Sequence, residues 1–456
     1  MPFRPTRSAR CAALAALWAG AALLSPASAG AQAPLPEGAA TALGMSAAVR
    51  QAVASHPSVR NAAGQALQAD EGIAAARAGY YPQVSAGISS RTSNRQIEGY
   101  GGKRVHQASL SVSQMLYDFG KVDGAVGEAQ GAAAAARARV LLAVDDVARD
   151  TAQAWVEVHR QQAMSEVAQA QVEGVRALAA LVNERQAKGA TSQSDVAQAR
   201  SRLEGARTQL LSAEAQARRW RLNLMNLTQN AVLPGIAGEA PASLAGACTA
   251  QAELPAGSPP PAVLAAQADL EAVQAALRSA DAQMLPTLSL EGAVDRGLDA
   301  RSRQVGQQGT ASSLMVNFSA PLYEGGRSRA RQRAAAHAAE AAEAALGYAR
   351  LSARQQLEDA RAQSQDHAQR LPVLAERVAS TRLTRDLYRE QYLQLGTRSL
   401  LDLLNAEQEF HASRFEQVQS EHEIQRLGLE CLYQSGRLRD AFGLADAAAV
   451  AQGEQP

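Results

Sequence analysis

The polar residues with the most regular spacing form a Gly-x-x-Ser-x-x-Asp pattern that occurs twice in the chain. A shift of 207 positions superimposes the two copies. They comprise Gly189, Ser192, Asp195, Gly396, Ser399 and Asp402. Glycine commonly follows the last residue of a helix, and a Ser or Asp side chain accepts hydrogen bonds from the free N–H groups that begin the next helix. Each copy therefore predicts the tip of a helical hairpin.

Residue types that usually carry catalysis or bind metals show no comparable order. The seven histidines are scattered, and although His411 and His422 could share a helix face, their spacing fits no metal-binding motif. The sequence contains no recognisable Ser-His-Asp set, nucleotide-binding loop or paired carboxylates. We therefore expect no enzymatic activity, no cofactor and no metal.

Two cysteines, Cys248 and Cys431, remain after removal of the N-terminal segment described below. Cys431 lies near the end of the last predicted helix, and Cys248 lies in the linker that leaves the equivalent point of the first repeat. An oxidising compartment would permit a disulfide between them. Two independent buried thiols are the alternative.

The hairpin tips belong to a tandem duplication that covers nearly the whole chain. Pro57 and Pro82 are 25 residues apart, as are Pro261 and Pro286, and the offset between the halves drifts only from 204 to 207. A fixed internal period of this length means that one structural unit is built twice.

The duplication divides the chain into two repeats and a linker. The first structural repeat is predicted over residues 41–228 and the second over residues 260–438. Residues 229–259 are rich in proline and glycine and are predicted to link the repeats. Residues 439–456 are predicted to form a disordered tail.

Each repeat begins with a helix that ends near a proline and is followed by two amphipathic strands. Alternating apolar and polar residues predict β-hairpins over residues 81–117 and 286–322, with strands of roughly ten residues, the length of a transmembrane β-strand. Each second strand runs through a Leu-Tyr-x-x-Gly sequence into a long helix. The residues predicted at these strand–helix junctions are Pro82, Tyr117, Gly120, Pro286, Tyr323 and Gly326.

Long helices follow both junctions. Residues 121–187 contain no proline and predict a helix of 67 residues, about 100 Å long. The return helix at 194–228 alternates apolar spacings of three and four, which is typical of a coiled-coil seam. The second repeat predicts helices at 327–395 and 398–438, and we expect Pro372 to kink or split the first of them.

Residues 1–29 have the features of a secretory signal peptide. Arg4, Arg7 and Arg10 precede an apolar run that is too short to span a membrane as a helix, and a small-residue cleavage pattern follows. Cleavage after Ala31 is the alternative. Removal of the three arginines changes the formal net charge from +1 to −2. A nearly neutral chain gives no indication of nucleic acid binding.

Four amphipathic strands are too few to close a membrane barrel, because such barrels have at least about eight. After residue 29, no apolar segment approaches the ~20 residues of a spanning helix. Aromatic residues make up only 4% of the chain, which favours closely packed helices over a wide globular core. We therefore expect three copies to pool their strands above a ring of helical hairpins and to form a conduit.

The signal peptide, the duplicated strand-strand-helix-helix order, the Leu-Tyr-x-x-Gly junctions and the two Gly-x-x-Ser-x-x-Asp tips resemble the TolC-type outer-membrane channels. The resemblance covers residues 41–438. It implies a mainly α fold with transmembrane β-structure, in which a homotrimer forms a 12-stranded β-barrel continuous with a long periplasmic α-helical barrel. It also implies a place in the outer membrane of a Gram-negative bacterium, in contact with outer-membrane lipid.

The resemblance implies that the protein is the exit duct of a tripartite export system. Its partners would be a periplasmic membrane-fusion adaptor and an inner-membrane ABC or proton-driven pump. Its cargo would be secreted polypeptides, as in type I secretion, or small toxic molecules. A periplasmic coiled-coil adaptor or scaffold protein is the alternative, although an adaptor would carry a single hairpin between β-domains.

The resemblance also assigns a gate to the hairpin tips. Ser194 and Asp195 in the first hairpin would face Arg398 in the second, and these contacts would hold the periplasmic end closed. The tyrosine that helps to lock the closed state in the family aligns with Leu393, while Tyr392 lies one residue away.

The same match predicts a pore constriction. Asp402 matches the first of two acidic residues that narrow the pore, and the second position is Asn405, so each copy would contribute one carboxylate. Carboxylates that converge on an axis repel one another and attract cations. The alternative is that Asp195 and Asp402 cap their helices. The tip residues expected to contact the adaptor are Gly189, Ser192, Gly396 and Ser399.

Overall fold

The computed structural model describes residues 43–94, 104–231, 236–244, 246–249, 259–298 and 310–444. The chain divides into two units, Met1–Ala39 and Ala40–Pro456, and every described residue belongs to the second. The predicted signal peptide lies outside the described residues.

The first repeat begins with two helices where the sequence suggested one. These are α1, Met45–Ser55, and α2, Pro57–Arg77. His56 stands between them with an extended backbone, φ −68° and ψ 133°, because the ring of a following proline disfavours the helical region. The second repeat has a single helix at the equivalent place, α5, Pro261–Ala282.

Four strands form one antiparallel sheet with neighbours in chain order. They are β1 Gln83–Thr92, β2 Arg104–Tyr117, β3 Thr287–Gly297 and β4 Thr310–Ser319. The β2–β3 pair joins the two repeats, with Leu110 opposite Val294. Among the described residues, β1 and β4 each pair on one side only, so each leaves one open backbone edge.

Large apolar side chains remain exposed on the two outer strands. They are Val84 and Ile88 on β1 and Leu314, Val316 and Phe318 on β4. On β1 they alternate with Ser85 and Gly87, as expected when successive side chains of a strand point to opposite faces. On β4, the intervening Met315 is exposed as well. Several large exposed apolar side chains on a sheet indicate an interaction surface.

Two long helices and their return helices make up most of the chain. The long helices are α3, Lys121–Ala187, and α6, Arg327–Glu390, and the return helices are α4, Gln193–Thr228, and α7, Leu400–Gln434. Helix α3 packs on α2, α4, α5 and α7, and α6 packs on α5 and α7. The pairs α3–α4 and α6–α7 are therefore the two helical hairpins.

Small residues allow some of these helices to approach closely. At Gly131 in α3, an added Cβ would lie 2.5 Å from the Cα atom of Ala272 in α5. Only a residue without a side chain fits at this distance, so glycine at position 131 determines the spacing of α3 and α5. Alanine, which is abundant along these helices, also has a small side chain and likewise allows close approach.

Helix α6 is not split at Pro372. The helix is continuous from Arg327 to Glu390 with this proline inside it. The prediction of a division was wrong, because Leu374 and Val378, which follow the proline, are buried against neighbouring helices and this packing offsets the lost hydrogen bond. The helix was predicted to continue to residue 395. The α-helix instead ends at Glu390, and Gln391–Leu395 forms a π-helical turn.

The largest cluster of buried apolar residues lies where the chain ends of both repeats meet. It combines α1, residues 144–158 of α3, Leu224 of α4, Leu244 of the linker and the end of α7. Trp155 is fully buried in this cluster, and its indole N–H donates to the carbonyl oxygen of Leu43 at 2.9 Å. The cluster therefore joins the first helix, the linker and the last helices into one core.

The predicted disordered tail at 439–456 was wrong for its first residues. Helix α8, Leu438–Phe442, follows α7 after a short turn, and the predicted helix 398–438 is therefore interrupted. Leu438, Phe442 and Leu444 are buried in the large core, which stabilises this segment. Residues 445–456 lie outside the described residues.

Among residues placed by the structure, no helix is both long enough and apolar enough to cross a membrane.

Candidate functional site

The first hairpin tip is built by a glycine turn and a capping box. Gly189 follows α3 with φ +73°, a conformation that glycine adopts without strain, and the Ala190 N–H donates to the carbonyl oxygen of Arg185 at 2.8 Å. Ser192 then caps α4. Its Oγ accepts from the N–H of Asp195 at 3.1 Å, and Oδ2 of Asp195 accepts from the N–H of Ser192 at 3.3 Å.

Oδ2 of the Asp195 carboxylate accepts hydrogen bonds within its own tip. The hydroxyl of Thr191 donates to Oδ2 at 2.6 Å. This hydrogen bond, together with those from Ser192, lowers the pKa of Asp195 below its ordinary value. Asp195 therefore stabilises the start of α4 as a charged cap.

The second tip repeats this arrangement. Gly396 has φ +64°. Ser399 Oγ accepts from the N–H of Asp402 at 3.2 Å, and Oδ2 of Asp402 accepts from the N–H of Ser399 at 3.4 Å. Asp402 therefore caps α7, the role that was the alternative to a pore-lining one.

The structure does not bring Ser194 or Asp195 to Arg398 within the chain. Ser194 Oγ lies 2.7 Å from Ser192 Oγ. Arg398 donates from Nε to the side-chain oxygen of Gln391 at 3.0 Å, and its guanidinium lies 4.3 Å from the ring centroid of Tyr388. The predicted pairing is wrong for a single chain, because capping and ring stacking satisfy these groups locally.

One link that the structure does show between the two hairpins is made by Arg185 and Tyr392. Arg185 Nη1 donates to the carbonyl oxygen of Tyr392 at 3.1 Å, and the guanidinium carbon lies 4.8 Å from the centroid of the Tyr392 ring. Tyr392 is buried. Sequence reasoning missed Arg185, although the shift of 207 positions that aligns the repeats places Arg185 on Tyr392.

Apolar residues around this link join the tips into one block. The cluster contains Leu178, Ala179, Val182, Ala199, Tyr392, Leu400, Leu403 and Leu404. These residues come from the last turns of α3, the π-helical turn that follows α6, and the first turns of α4 and α7. Relative movement of the two hairpins would therefore expose buried apolar area at the tip.

The two residues predicted to narrow the pore have different surroundings. Asn405 accepts a hydrogen bond from Arg202 Nη2 at 3.1 Å, and Arg202 also donates to Gln408. Asn405 therefore connects α7 to α4 in this structure. Asp402 is partly exposed, and its carboxylate is shared with the cap of α7.

A buried carboxylate connects three helices above the tip. Glu407 of α7 is 7% exposed, and its Oε1 lies 3.1 Å from Nε2 of His411. Its Oε2 lies 3.8 Å from Nε of Arg385 in α6. A Cβ added at Gly174 of α3 would lie 2.2 Å from Oε1 of Glu407. The carboxylate therefore fits against α3 only because position 174 is glycine.

A histidine pair connects α3 to α7 farther along the helices. His159 Nδ1 lies 2.8 Å from Nε2 of His422, and Nδ1 of His422 lies 2.8 Å from the carbonyl oxygen of Val418. A carbonyl only accepts, so Nδ1 of His422 carries the proton and Nε2 accepts from His159. In the part of the chain that is described, no group of three or more potential ligands is arranged to hold a metal ion.

A family model for outer membrane efflux proteins matches residues 48–229 and 258–427 of this chain. The two matched segments include both repeats and most of the sequence. The chain belongs to the outer membrane efflux protein family. This membership confirms the resemblance to TolC-type channels that the junctions and tips indicated.

Individual proteins of known identity or structure agree with this family. The chain is 26% identical over 395 residues to the outer membrane efflux protein BepC of Brucella suis biovar 1 (strain 1330), which covers 82% of this chain and 81% of BepC. It is 19% identical to the outer membrane protein VceC of Vibrio cholerae, with a TM-score of 0.74 and coverage of 86% and 96%. It is 15% identical to the CmeC outer membrane channel of Campylobacter jejuni, with a TM-score of 0.75 and coverage of 89% of each chain.

The structural likenesses confirm the fold class, which is mainly helical with a β-sheet domain. Family membership places this efflux protein in the outer membrane with an extension into the periplasm. Members of the family are channels, which confirms that the protein is not an enzyme.

The strand–helix junctions of this efflux protein occupy the positions that their sequence motif indicated. Pro82 and Pro286 directly precede β1 and β3, and Gly120 and Gly326 directly precede α3 and α6. Tyr117 ends β2, whereas Tyr323 lies beyond the end of β4. Both tyrosines are exposed in the single chain.

The two cysteines of the efflux protein that follow the predicted signal peptide are bonded to each other. A disulfide joins Cys248 in the linker to Cys431 in α7, with Cα atoms 5.4 Å apart and a sequence separation of 183. Cys431 is fully buried in the large core. The bond ties the segment between the repeats to the last long helix of the second repeat.

Proposed function

We propose that three copies of this efflux protein assemble into one channel. The observation that carries the proposal is the four-stranded sheet, whose outer strands β1 and β4 each keep an open edge within the described residues. A sheet in a membrane must close, because lipid offers no hydrogen-bond partners to an open edge. Four strands are fewer than the minimum of about eight, and three copies supply 12.

The helices would continue the channel into the periplasm. The strands lead directly into α3 and α6, so a ring of three sheets requires a ring of three pairs of helical hairpins below it. In a tripartite system, an adaptor would contact the tips and an inner-membrane pump would supply the energy. The alternative that the chain is itself an adaptor is not favoured, because the family match includes both repeats.

The cargo that the relatives favour is small toxic molecules. BepC is named as an efflux protein, and the family description has the same meaning. Secretion of polypeptides by a type I system is the other cargo class that a duct of this architecture could serve.

The tips are the proposed gate of the duct. Tyr392 would stabilise this gate by its contact with Arg185. Arg398 would stabilise it by its hydrogen bond to Gln391 within the second hairpin. In the trimer, three Asp402 residues would approach the channel axis, and Asn405 would lie one helical turn above. A ring of carboxylates favours cations in a narrow pore.

Drug susceptibility tests the cargo and the duct together. A strain that lacks this protein is expected to become sensitive to dyes, detergents and antibiotics that its pumps export, and the wild-type protein supplied in trans is expected to restore resistance. Unchanged susceptibility, together with loss of one secreted polypeptide from the medium, would replace small-molecule efflux by type I secretion.

Single-channel recording tests the proposed constriction. Asp402→Asn is expected to lower cation selectivity or to raise conductance, because it removes one charge from each copy while keeping a side chain that can cap α7. Asp195→Asn, the equivalent change in the first tip, is the control and should leave both properties unchanged. Equal effects of the two substitutions would mean that Asp402 acts only as a helix cap.

A further inference from the structure

Four arginines occupy the first two turns of α6, immediately beyond the last strand. This arginine collar consists of Arg327, Arg329, Arg331 and Arg333, and all four side chains are exposed. The two preceding residues with large side chains, Leu322 and Tyr323, are 95% and 89% exposed. The chain therefore presents an aromatic and an aliphatic side chain next to four positive charges, at the point where it leaves the sheet.

The fold of the junction does not require these arginines, because the first repeat builds the same junction without them. Residues 118–128 contain two aspartates, one glutamate and one lysine, a net charge of −2. The equivalent residues 324–334 contain one glutamate and four arginines, a net charge of +3. The two junctions share their course despite this difference in charge, since both lead from a strand through a left-handed glycine into a long helix.

Contacts within the chain leave much of this charge uncompensated. Arg327 pairs with Glu324, with Nη2 and Oε1 2.5 Å apart. Arg329 and Arg333 form no ion pair or hydrogen bond with any residue that the structure describes. Cations in the first turn of a helix are also disfavoured by the partial positive charge of its N-terminus. An anion outside the chain would remove both penalties.

We propose that the arginine collar binds the phosphate groups of anionic lipids in the periplasmic leaflet of the outer membrane. This inference rests on the proposed function, in which the strands lie in the membrane. Arg327 and Arg333 are six residues apart, so the collar extends about 9 Å along the helix, comparable to the headgroup layer below the hydrocarbon core. Guanidinium groups bind phosphate oxygens in a bidentate manner, and exposed tyrosines beside them are typical of the membrane interface.

Native mass spectrometry of the full-length protein in detergent can measure lipid binding directly. Phosphatidylglycerol and phosphatidylcholine are titrated separately into wild type and into Arg329→Gln/Arg333→Gln. The wild type is expected to bind phosphatidylglycerol more tightly, and the double variant is expected to lose about tenfold or more of that affinity. Arg329→Lys/Arg333→Lys should retain most of it, since charge is kept.

A matched control uses the same helix and the same change in charge. Arg350 and Arg370 are exposed on α6, and Arg350 lies 17 residues, about 25 Å, beyond Arg333. Arg350→Gln/Arg370→Gln is expected to bind phosphatidylglycerol as the wild type does. Equal affinities in this control and in the collar variant would overturn the inference, as would complete displacement of the lipid by millimolar inorganic phosphate.

Two further outcomes distinguish lipid binding by the collar from a contact between copies and from failure of the proposed function. Reduced trimer stability of the collar variant with unchanged lipid affinity would mean that the arginines contact a second copy instead of lipid, which contradicts the inference. Recovery of the wild type in the soluble periplasmic fraction would contradict the proposed function itself. A wild type that stays in the outer membrane without any preference for phosphatidylglycerol would contradict only the role of the collar.

Discussion

Among the tip residues, Arg185 makes the contacts that bear most directly on the proposed gate. It belongs to α3, yet it donates to the backbone of Tyr392 and stacks on its ring, so one side chain connects the two hairpins. A charge-assisted hydrogen bond and a cation–π contact together contribute about 1–2 kcal/mol at a partly buried site. Within a single chain, Arg185 joins the two hairpins, whereas Asp195 and Arg398 do not contact each other.

Arg185→Ala is expected to loosen the tips and make the channel leaky. Loss of about 1–2 kcal/mol would increase the open fraction roughly tenfold. Conductance of reconstituted channels and sensitivity of cells to large antibiotics measure this change. The control is Arg200→Ala, because Arg200 is exposed near the same tip without an ion pair or hydrogen bond among the residues described. Wild-type conductance in Arg185→Ala would show that the link does not hold the gate.

His422 makes the stability of the protein depend on pH. Burial lowers the pKa of His422 below its ordinary value of 6.5. The folded protein therefore binds this proton less well than the unfolded chain does. The stability that the neutral ring provides is complete above pH 6.5 and is lost as the pH falls from 6.5 toward the folded-state pKa.

The unfolding temperature of the wild type is therefore expected to fall as the pH drops below 6.5. His422→Gln should weaken this pH dependence, since it removes the titrating ring. His337→Gln is the control, because His337 is exposed and its one partner among the residues that the structure describes is Glu340 on the same helix. If His422→Gln and the wild type lose stability in parallel over this range, another group is responsible.

The caps at the tips could be predicted from the sequence, whereas the link between the tips could not. A capping box depends on residues three positions apart, so the spacing of Ser192 and Asp195 can be recognised in the sequence. Arg185 and Tyr392 are 207 residues apart, and their contact depends on how two hairpins pack. Within a single chain, Asp195 and Arg398 do not meet for the same reason, because local partners satisfy both side chains.

At the scale of elements, the glycine at position 174 controls the approach of α3 to α7. Gly174→Ala is expected to lower the free energy of unfolding by about 1–3 kcal/mol, because the new Cβ would overlap the carboxylate of Glu407. Gly205→Ala in α4 is the matched control. A Cβ at Gly205 meets no atom within 4 Å, so that change should stabilise the helix by about 0.5–1 kcal/mol. Thermal unfolding in detergent compares the two.

A Gly174→Ala protein as stable as Gly205→Ala would contradict the packing described here. The carboxylate of Glu407 would then have room to move away from α3 without cost. Destabilisation of Gly174→Ala alone would show that the three-helix contact of Glu407 is as tight in the assembled protein as in the single chain.

Elements with a strong local period were predictable, and elements that depend on distant packing were not. Helix α3 spans the residues expected from its heptad-like spacing, because that spacing is a property of consecutive turns. Helix α8 was expected to be a tail, since five residues carry no period, and its Phe442 is buried only because the large core accepts it. Pro372 was expected to kink or split α6, but packing of the surrounding turns keeps the helix continuous.

At the scale of the whole molecule, the disulfide joins the linker between the repeats to the end of the second repeat. Closing a loop of 183 residues restricts the unfolded chain, an effect that contributes about 2–5 kcal/mol. Cys248→Ser/Cys431→Ser is expected to unfold at a lower temperature than the wild type. A reducing agent should lower the wild type to the same value and leave the variant unchanged, whereas equal unfolding temperatures without reductant would show that the bond contributes nothing.

The central claim is that this chain forms a channel only as a ring of three copies. Electron microscopy of the mature protein, extracted from membranes in detergent, tests it most directly. We predict particles with three-fold symmetry, in which a detergent-covered sheet domain continues into a helical tube about 100 Å long, the length of α3. A monomer, or a rod without a detergent belt, would contradict the channel and would require the exposed strand edges to pair with another protein.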